Sequence, residues 1–309
     1  MFFLASFIAA FVPMMSYMVL LWVMDKYERE PVTAIIMYFS WGAFGAIILS
    51  IAGSFLLQLL FVNFLNDSSV LDFNSKVIFA PFVEEFMKGI FLLMTFSNKR
   101  FDNITDGLVY GGAIGLGFGM TENFLYFIGF GTTASAWFQL VVIRSVFSAV
   151  LHCIATASFG AFLGIAKFRS GNKILFILGG YFTAVLMHAS WNFLVLNSET
   201  SVFGLLMMVI LILVFFRIFN YSTKHELEII RTELAEESLA GLIPEGFVRN
   251  LGNGKIFKFM YKMKSNDRIY VNNLVKLAFR KSQSKTCSAN QKDFFEKEIQ
   301  HYRNLISRF

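Results

Sequence analysis

Seven stretches of the chain stay apolar long enough to cross a bilayer, at about 2–24, 33–62, 77–96, 107–130, 136–166, 174–196 and 202–219. A helix needs roughly 20 predominantly apolar residues to cross about 30 Å of hydrocarbon. The pattern predicts an all-α fold, a polytopic transmembrane helix bundle of about seven spans. The number becomes six or eight if the long second and fifth runs tilt strongly or include a re-entrant piece. The first run begins at Phe2 with no basic residue ahead of it, and no small-residue cleavage pattern precedes Asp25, so it reads as a retained span. From Tyr221 the pattern becomes amphipathic. Ser222 or Thr223 caps a predicted helix through Leu239 that closes near Gly241 and Pro244, and two more helices are expected at about 267–281 and 291–307. The expected division is therefore a transmembrane bundle over 1–219 and a small, basic, helical cytosolic region over 220–309.

Composition agrees with a lipid-embedded chain: 56% of the 309 residues are hydrophobic, 16% are charged, and the mean hydropathy is +0.60. Residues 1–219 hold 11 Lys/Arg and 11 Asp/Glu, whereas 220–309 hold 16 and 10, so the net charge of +6 belongs to the tail. The tail's basic residues are dispersed, which favours solvation over a lipid-binding patch, and no nucleic-acid partner is expected. Two cysteines, Cys153 in an apolar run and Cys287 in the tail, make neither a disulfide framework nor a thiolate metal site. Lys26, Arg29, Lys99, Arg100, Lys167, Arg169 and Lys173 fall on one side of the expected spans and only Lys76 on the other. The positive-inside rule then predicts a multi-pass protein of the cell (plasma or inner) membrane with its N-terminus outside and its C-terminus in the cytoplasm.

Against this background the polar residues inside the apolar runs stand out. A charge at mid-membrane costs about 2.5–3.5 kcal/mol on insertion scales, so it persists chiefly where it faces a bundle interior or a hydrated cavity. The third run carries Glu84, Glu85 and Lys88 within five residues. Glu84 and Lys88 stand one turn apart, where pairing is easy, while Glu85 is rotated by about 100 degrees toward another neighbour. The fourth run carries Glu122 and Asn123, the fifth Arg144, His152 and Thr156, and the sixth His188 and Asn192 at i and i+4. On an unbroken helix Arg144 would lie about 80 degrees from His152. Gly107, Gly111, Gly115 and Gly119 mark a groove along one face of the fourth run where a neighbouring helix can approach closely.

Together these groups supply the parts for hydrolysing an amide away from bulk water. A buried carboxylate can serve as base toward a water and then as acid toward the leaving amine; a histidine can share that water; an asparagine amide can donate to the developing oxyanion. No Gly-x-Ser-x-Gly elbow and no pair of intramembrane aspartates is present, which disfavours serine and aspartyl chemistry. His152, His188 and Glu85 are candidates for a two-histidine, one-carboxylate zinc site, although no His-Glu-x-x-His helix exists and metal-free glutamate catalysis is the favoured alternative. Two other readings compete: an ion- or proton-translocating protein, and a catalytically inactive scaffold presenting the tail.

Five motifs in order carry a family resemblance: Asp25-Lys-Tyr-Glu-Arg-Glu-Pro31, Glu84-Glu85-x-x-Lys88, Asp106-Gly107 running into Phe118-x-x-x-Glu122-Asn123, Arg144 through His152, and His188-x-x-x-Asn192. The arrangement resembles the PrsW family of intramembrane proteases, distantly related to the CAAX-processing and Abi membrane proteases. The resemblance implies site-1 cleavage of a membrane-anchored regulatory protein of the anti-sigma-factor type. It implies that Glu84 and Glu85 bind and activate water, that His188 joins them, that Glu122 and His152 complete the polar cluster, and that Asn192 is the oxyanion donor. Lys88, Asn123 and Arg144 would support them. The CAAX relatives have histidine where this chain has Glu122, and the extension beyond residue 220 exceeds what a minimal member needs.

Overall fold

Lipid offers backbone N–H and C=O groups no partners, so a spanning segment satisfies them internally as a helix. The computed structural model describes residues 3–62, 64, 67–96, 101, 103–168, 172–252, 263–287 and 289–309, and among them every regular element is helical. In chain order these are α1 (Phe3–Met24), α2 (Val32–Phe61), α3 (Ser68–Asn74), α4 (Ala80–Thr95), α5 (Ile104–Phe130), α6 (Ala134–Lys167), α7 (Lys173–Val195), α8 (Ser198–Leu239), α9 (Glu245–Gly252), α10 (Ser265–Thr286) and α11 (Ala289–Ile306). Five of them, α1, α2, α6, α7 and α8, are long and apolar enough to cross a membrane. The third and fourth expected spans, which form α4 and α5, are not among these five. Glu84, Glu85 and Lys88 interrupt the first, and seven glycines with Asp106 and Glu122 dilute the second. Their faces turn inward instead, and α5 is buried without a break from Thr105 to Gly119.

The chain divides into two compact units. One comprises residues up to Met24 and from Glu30 to Arg217; the other comprises Asp25–Arg29 and Ile218–Phe309. In the first, the glycine groove of α5 is filled by the backbone of α6. A Cβ placed on Gly107, Gly111 or Gly115 would collide with the carbonyl oxygens of Gly160, Thr156 and His152 respectively. Small residues let the two backbones touch, which in lipid substitutes for the missing hydrophobic drive between helices. A second crossing, where Gly117 meets the Phe39 carbonyl and Gly42 meets that of Ile114, sets α2 against the opposite face of α5. Three π-helical turns, Trp41–Ala46, Ser75–Phe79 and Arg144–Ser148, interrupt the helices of this unit.

In the second unit, Ile230 and Leu234 of α8, Leu251 of α9, Leu274 and Leu277 of α10 and Ile306 of α11 form a common core, with Tyr27 packed against it. The helix expected to start at Ser222 or Thr223 does not start there, because α8 continues unbroken through both residues. No glycine or proline occurs between residues 205 and 240, and the Thr223 hydroxyl donates back to the Phe219 carbonyl (3.2 Å) instead of capping. The helix ends where expected, at Gly241, whose φ of 79° suits only glycine without strain.

Candidate active site

Close packing of α5 on α6 places their polar residues side by side, and α4 and α7 complete the ring. Lys88, fully buried in α4, is the hub. Its ammonium donates to Glu85 Oε1 (2.8 Å) and to His152 Nδ1 (2.9 Å), lies 3.6 Å from Glu84 Oε2, and sits 3.9 Å over the Phe118 ring. The tighter partner is thus Glu85 at i−3 and not Glu84 at i−4, since both spacings share a helix face. Glu85 accepts further hydrogen bonds from the Thr156 hydroxyl (3.1 Å) and from His188 Nδ1 (3.0 Å). It is 1% exposed and its oxygens are taken.

These partners settle the imidazole tautomers. An ammonium has no lone pair, so His152 Nδ1 must accept from Lys88, and its Nε2–H donates to Glu122 Oε2 at 2.8 Å. Glu85 as a carboxylate can only accept, so His188 Nδ1 donates to it, leaving Nε2 with a free lone pair 3.9 Å from Glu84 Oε2. The two imidazole rings meet edge to face with centroids 4.7 Å apart.

Glu122 Oε2 also receives Arg144 Nη2 at 2.6 Å, while Arg144 Nε donates to Asn123 Oδ1 at 3.1 Å. The guanidinium lies 3.5 Å from the centroid of the Tyr126 ring. Arg144 and His152 reach the same oxygen because the π-helical turn Arg144–Ser148 lies between them. One extra residue in a turn sets the register back by about 100 degrees, which turns an 80-degree separation into roughly −20 degrees.

Glu84, Glu122, Arg144, His152 and His188 line one cavity of about 500 Å³, and Asn192 stands on its wall with its amide donating to the Lys76 carbonyl (2.9 Å). Glu85, Lys88 and Asn123 lie behind this surface and hold it. Among the predicted site residues, then, all but Asn192 are linked in one network of hydrogen bonds and ion pairs, and Asn192 joins them only as a neighbour in the cavity. Thr156, seen in the sequence as sharing a face with His152, proves to be a partner of Glu85. Tyr126 was missed; its signal was an aromatic ring one helical turn beyond Glu122. One resemblance motif, and the start of another, lie elsewhere. Asp106 closes a capping box with Asn103 at the start of α5, and Glu30 accepts a hydrogen bond from the Tyr110 hydroxyl. Sixteen residues separate Asp106 from Glu122, about 24 Å along a helix axis.

Metal-ligand chemistry fits three of the cavity residues. Glu84, His152 and His188 each offer an atom within 4.8 Å of the others, and Glu84 Oε2 is buried with no hydrogen-bond partner. Glu85, a candidate ligand in the sequence, lies outside that trio with its oxygens engaged, and His152 can join it only by exchanging its present bonds to Lys88 and Glu122 for the metal. Formal charge points the same way: three carboxylates, Glu84, Glu85 and Glu122, face two permanent cations, Lys88 and Arg144.

Comparison with known proteins adds to the geometry. Residues 30–218 match the family described as PrsW family intramembrane metalloprotease. Protease PrsW of Oceanobacillus iheyensis is 27% identical over 217 residues, which cover 68% of this chain and 93% of the relative. Protease PrsW of Clostridioides difficile is 27% identical over 67% of this chain and 86% of its own length, and that of Bacillus subtilis 24% identical over 64% and 85%. No solved structure matches. Residues 219–309 fall outside the family match.

Proposed function

The chain belongs to the PrsW family of intramembrane metalloproteases, and on that premise we propose that it cleaves a membrane-anchored regulatory protein, of the anti-sigma-factor type, with Glu84, Glu122, His152 and His188 as its chemical centre. Membership makes it a multi-pass membrane hydrolase, in place of a transporter or an idle scaffold. The single observation that carries the mechanism is the orphaned Glu84 oxygen, buried beside two histidines at the wall of the cavity.

Glu84, His152 and His188 would hold a divalent cation, with zinc the natural choice for two imidazoles and a carboxylate; when bound it would polarise the scissile carbonyl and acidify a water. The protein's own groups are arranged for the remaining tasks. Glu85 fixes the His188 ring through Nδ1, so that Nε2 faces the cavity. Lys88 and Thr156 in turn fix Glu85. Glu122 takes the proton of the attacking water and returns it to the leaving nitrogen, while Arg144 holds its carboxylate in place. Apolar neighbours such as Leu140, Ile143 and Trp191 limit water in the cavity.

The cavity belongs to one end of the bundle. Its lining comes from the C-terminal halves of α2, α5 and α7 and from the N-terminal parts of α4 and α6, where the connections carry few basic residues. By the positive-inside rule that end is extracytoplasmic, which puts the scissile bond near the outer leaflet and the C-terminal unit in the cytoplasm. Glu122 lies eight residues before the end of α5, about 12 Å inside it.

The test is cleavage of a panel of single-pass membrane proteins by purified protein, with and without a zinc chelator, beside the Glu84→Gln and Glu122→Gln variants. Cleavage that is abolished by the chelator and by either substitution is expected. Unchanged cleavage by both variants would remove these residues from the mechanism.

A further inference from the structure

The same cavity is also lined by uncharged polar residues with no assigned role, beside the Asp72–Lys76 ion pair. Ser54 and Gln58 project into it from α2, and Ser75 from the π-helical turn that precedes α4. Helix α2 is otherwise strongly apolar, and a glutamine in such a helix is costly unless its amide finds a partner or water. Neither Ser54 nor Gln58 makes a side-chain hydrogen bond to any described residue. Ser75, another lining residue, is 8% exposed, and its hydroxyl is buried without a hydrogen-bond partner. Serine hydroxyls and a primary amide each donate and accept, so together they match neutral amide groups of either polarity.

We propose that Ser54, Gln58 and Ser75 form a backbone-binding subsite that holds the scissile segment of the substrate as an extended strand beside Glu84 and His188. This deepens the proteolytic reading above and rests on it. Dimensions favour an extended chain. Ser54 and Gln58 are one turn apart, about 6 Å along the axis of α2, while groups on the same side of an extended chain repeat every two residues, about 6.7 Å. A helical substrate has its N–H and C=O groups already paired and offers such a wall nothing, whereas an unwound segment presents one donor and one acceptor per residue. A peptide carbonyl must also leave its helix before it can be attacked. Because the wall reads backbone and not side chains, substrate choice should depend on readiness to unwind and on fit to the apolar neighbours Trp191 and Val195.

The experiment measures binding separately from chemistry. The probe is a fluorescent peptide with a leucine- and alanine-rich span of roughly 20 residues and a polar juxtamembrane segment, made with and without N-methylation at alternate residues of the segment next to the span. Affinity is read on the Glu84→Gln protein in lipid nanodiscs, alone and combined with Gln58→Leu or Ser75→Ala. Gln58 is exposed on an apolar helix and Ser75 is small, so both replacements fit the fold. Each is expected to weaken binding by about 3- to 10-fold, the loss of one net hydrogen bond. N-methylation should cost a similar factor on the intact wall and less than about twofold on Gln58→Leu, the signature of a shared interaction. Equal affinities across the variants, a fully additive penalty, or no binding of the probe at all would overturn the subsite. Cleavage of the probe by the Glu84→Gln protein at the rate of the unaltered one would instead overturn the catalytic reading and leave the affinities to judge the wall.

Discussion

Two ionic clusters built from the same residue types divide the labour of this molecule. In the C-terminal unit Glu233, Glu236 and Glu237 of α8 face Lys281 and Lys285 of α10 and Arg303 of α11, three charges against three. Arg303 grips Glu237 through two bonds of 2.9 and 2.6 Å, and Lys281 adds a third at 2.8 Å. In the membrane unit three carboxylates face two permanent cations, and one carboxylate oxygen has no hydrogen-bond partner at the edge of a cavity. A balanced and satisfied cluster can only hold helices together. An unbalanced one next to a cavity retains capacity for a cation, a water and a proton, and that residual capacity distinguishes a reactive site from a structural staple.

Substitutions in the two clusters should therefore behave differently. The largest expected effect is on turnover: Glu122→Gln should lower kcat by about 10²- to 10⁴-fold, the usual contribution of a positioned general base, with thermal stability little changed because the amide still accepts from Arg144. A rate assay paired with thermal unfolding checks it, and a parallel fall in melting temperature would mark Glu122 as structural. Next is Glu85→Gln, which removes the acceptor that orients His188 and should weaken zinc binding by about 10- to 100-fold. Competition against a chromophoric chelator measures this without reference to activity. The matching substitution in the other cluster, Glu237→Gln, should leave cleavage by the membrane unit intact and destabilise the C-terminal unit by about 1–2 kcal/mol; the figure is modest because Arg303 is 40% exposed and screened by solvent. Hydrogen exchange of α10 and α11 reports it.

The smallest effect is with pH. Burial works to raise the Glu237 carboxyl, but hydrogen bonds from Arg303 and Lys281 outweigh it and hold the group below its ordinary value of 4.5. Glu236 is held low by Lys281 and Lys285, and Lys285 is held above 10.5 by hydrogen bonds to Glu233 and Glu236. A depressed carboxyl contributes stability that is present above about pH 4.5 and lost as pH falls through its folded value; a raised lysine contributes stability present below about 10.5 and lost as pH rises through its own. The C-terminal unit should thus show a plateau between these limits, with an acid limb that shrinks in Glu237→Gln. An acid limb unaltered by that substitution would move the titrating group elsewhere.

By itself the sequence determined the lipid environment, the helical class, the buried glutamates and histidines with Lys88, Asn123 and Arg144, and the glycine face along which α5 would be approached. Transfer energies and helical periodicity act over a few residues and can be read without knowing any neighbour. Tertiary structure decided what depends on partners. Whether Glu84 or Glu85 faces the cavity turned on which of them Lys88, Thr156 and His188 engaged. Arg144 and His152 share Glu122 only because a π-helical turn resets their register, and nothing local in Arg144–Ser148 announces that turn. The run of α8 through Ser222 and Thr223 was likewise a choice between capping and continuing; the helix continues, and both residues are buried.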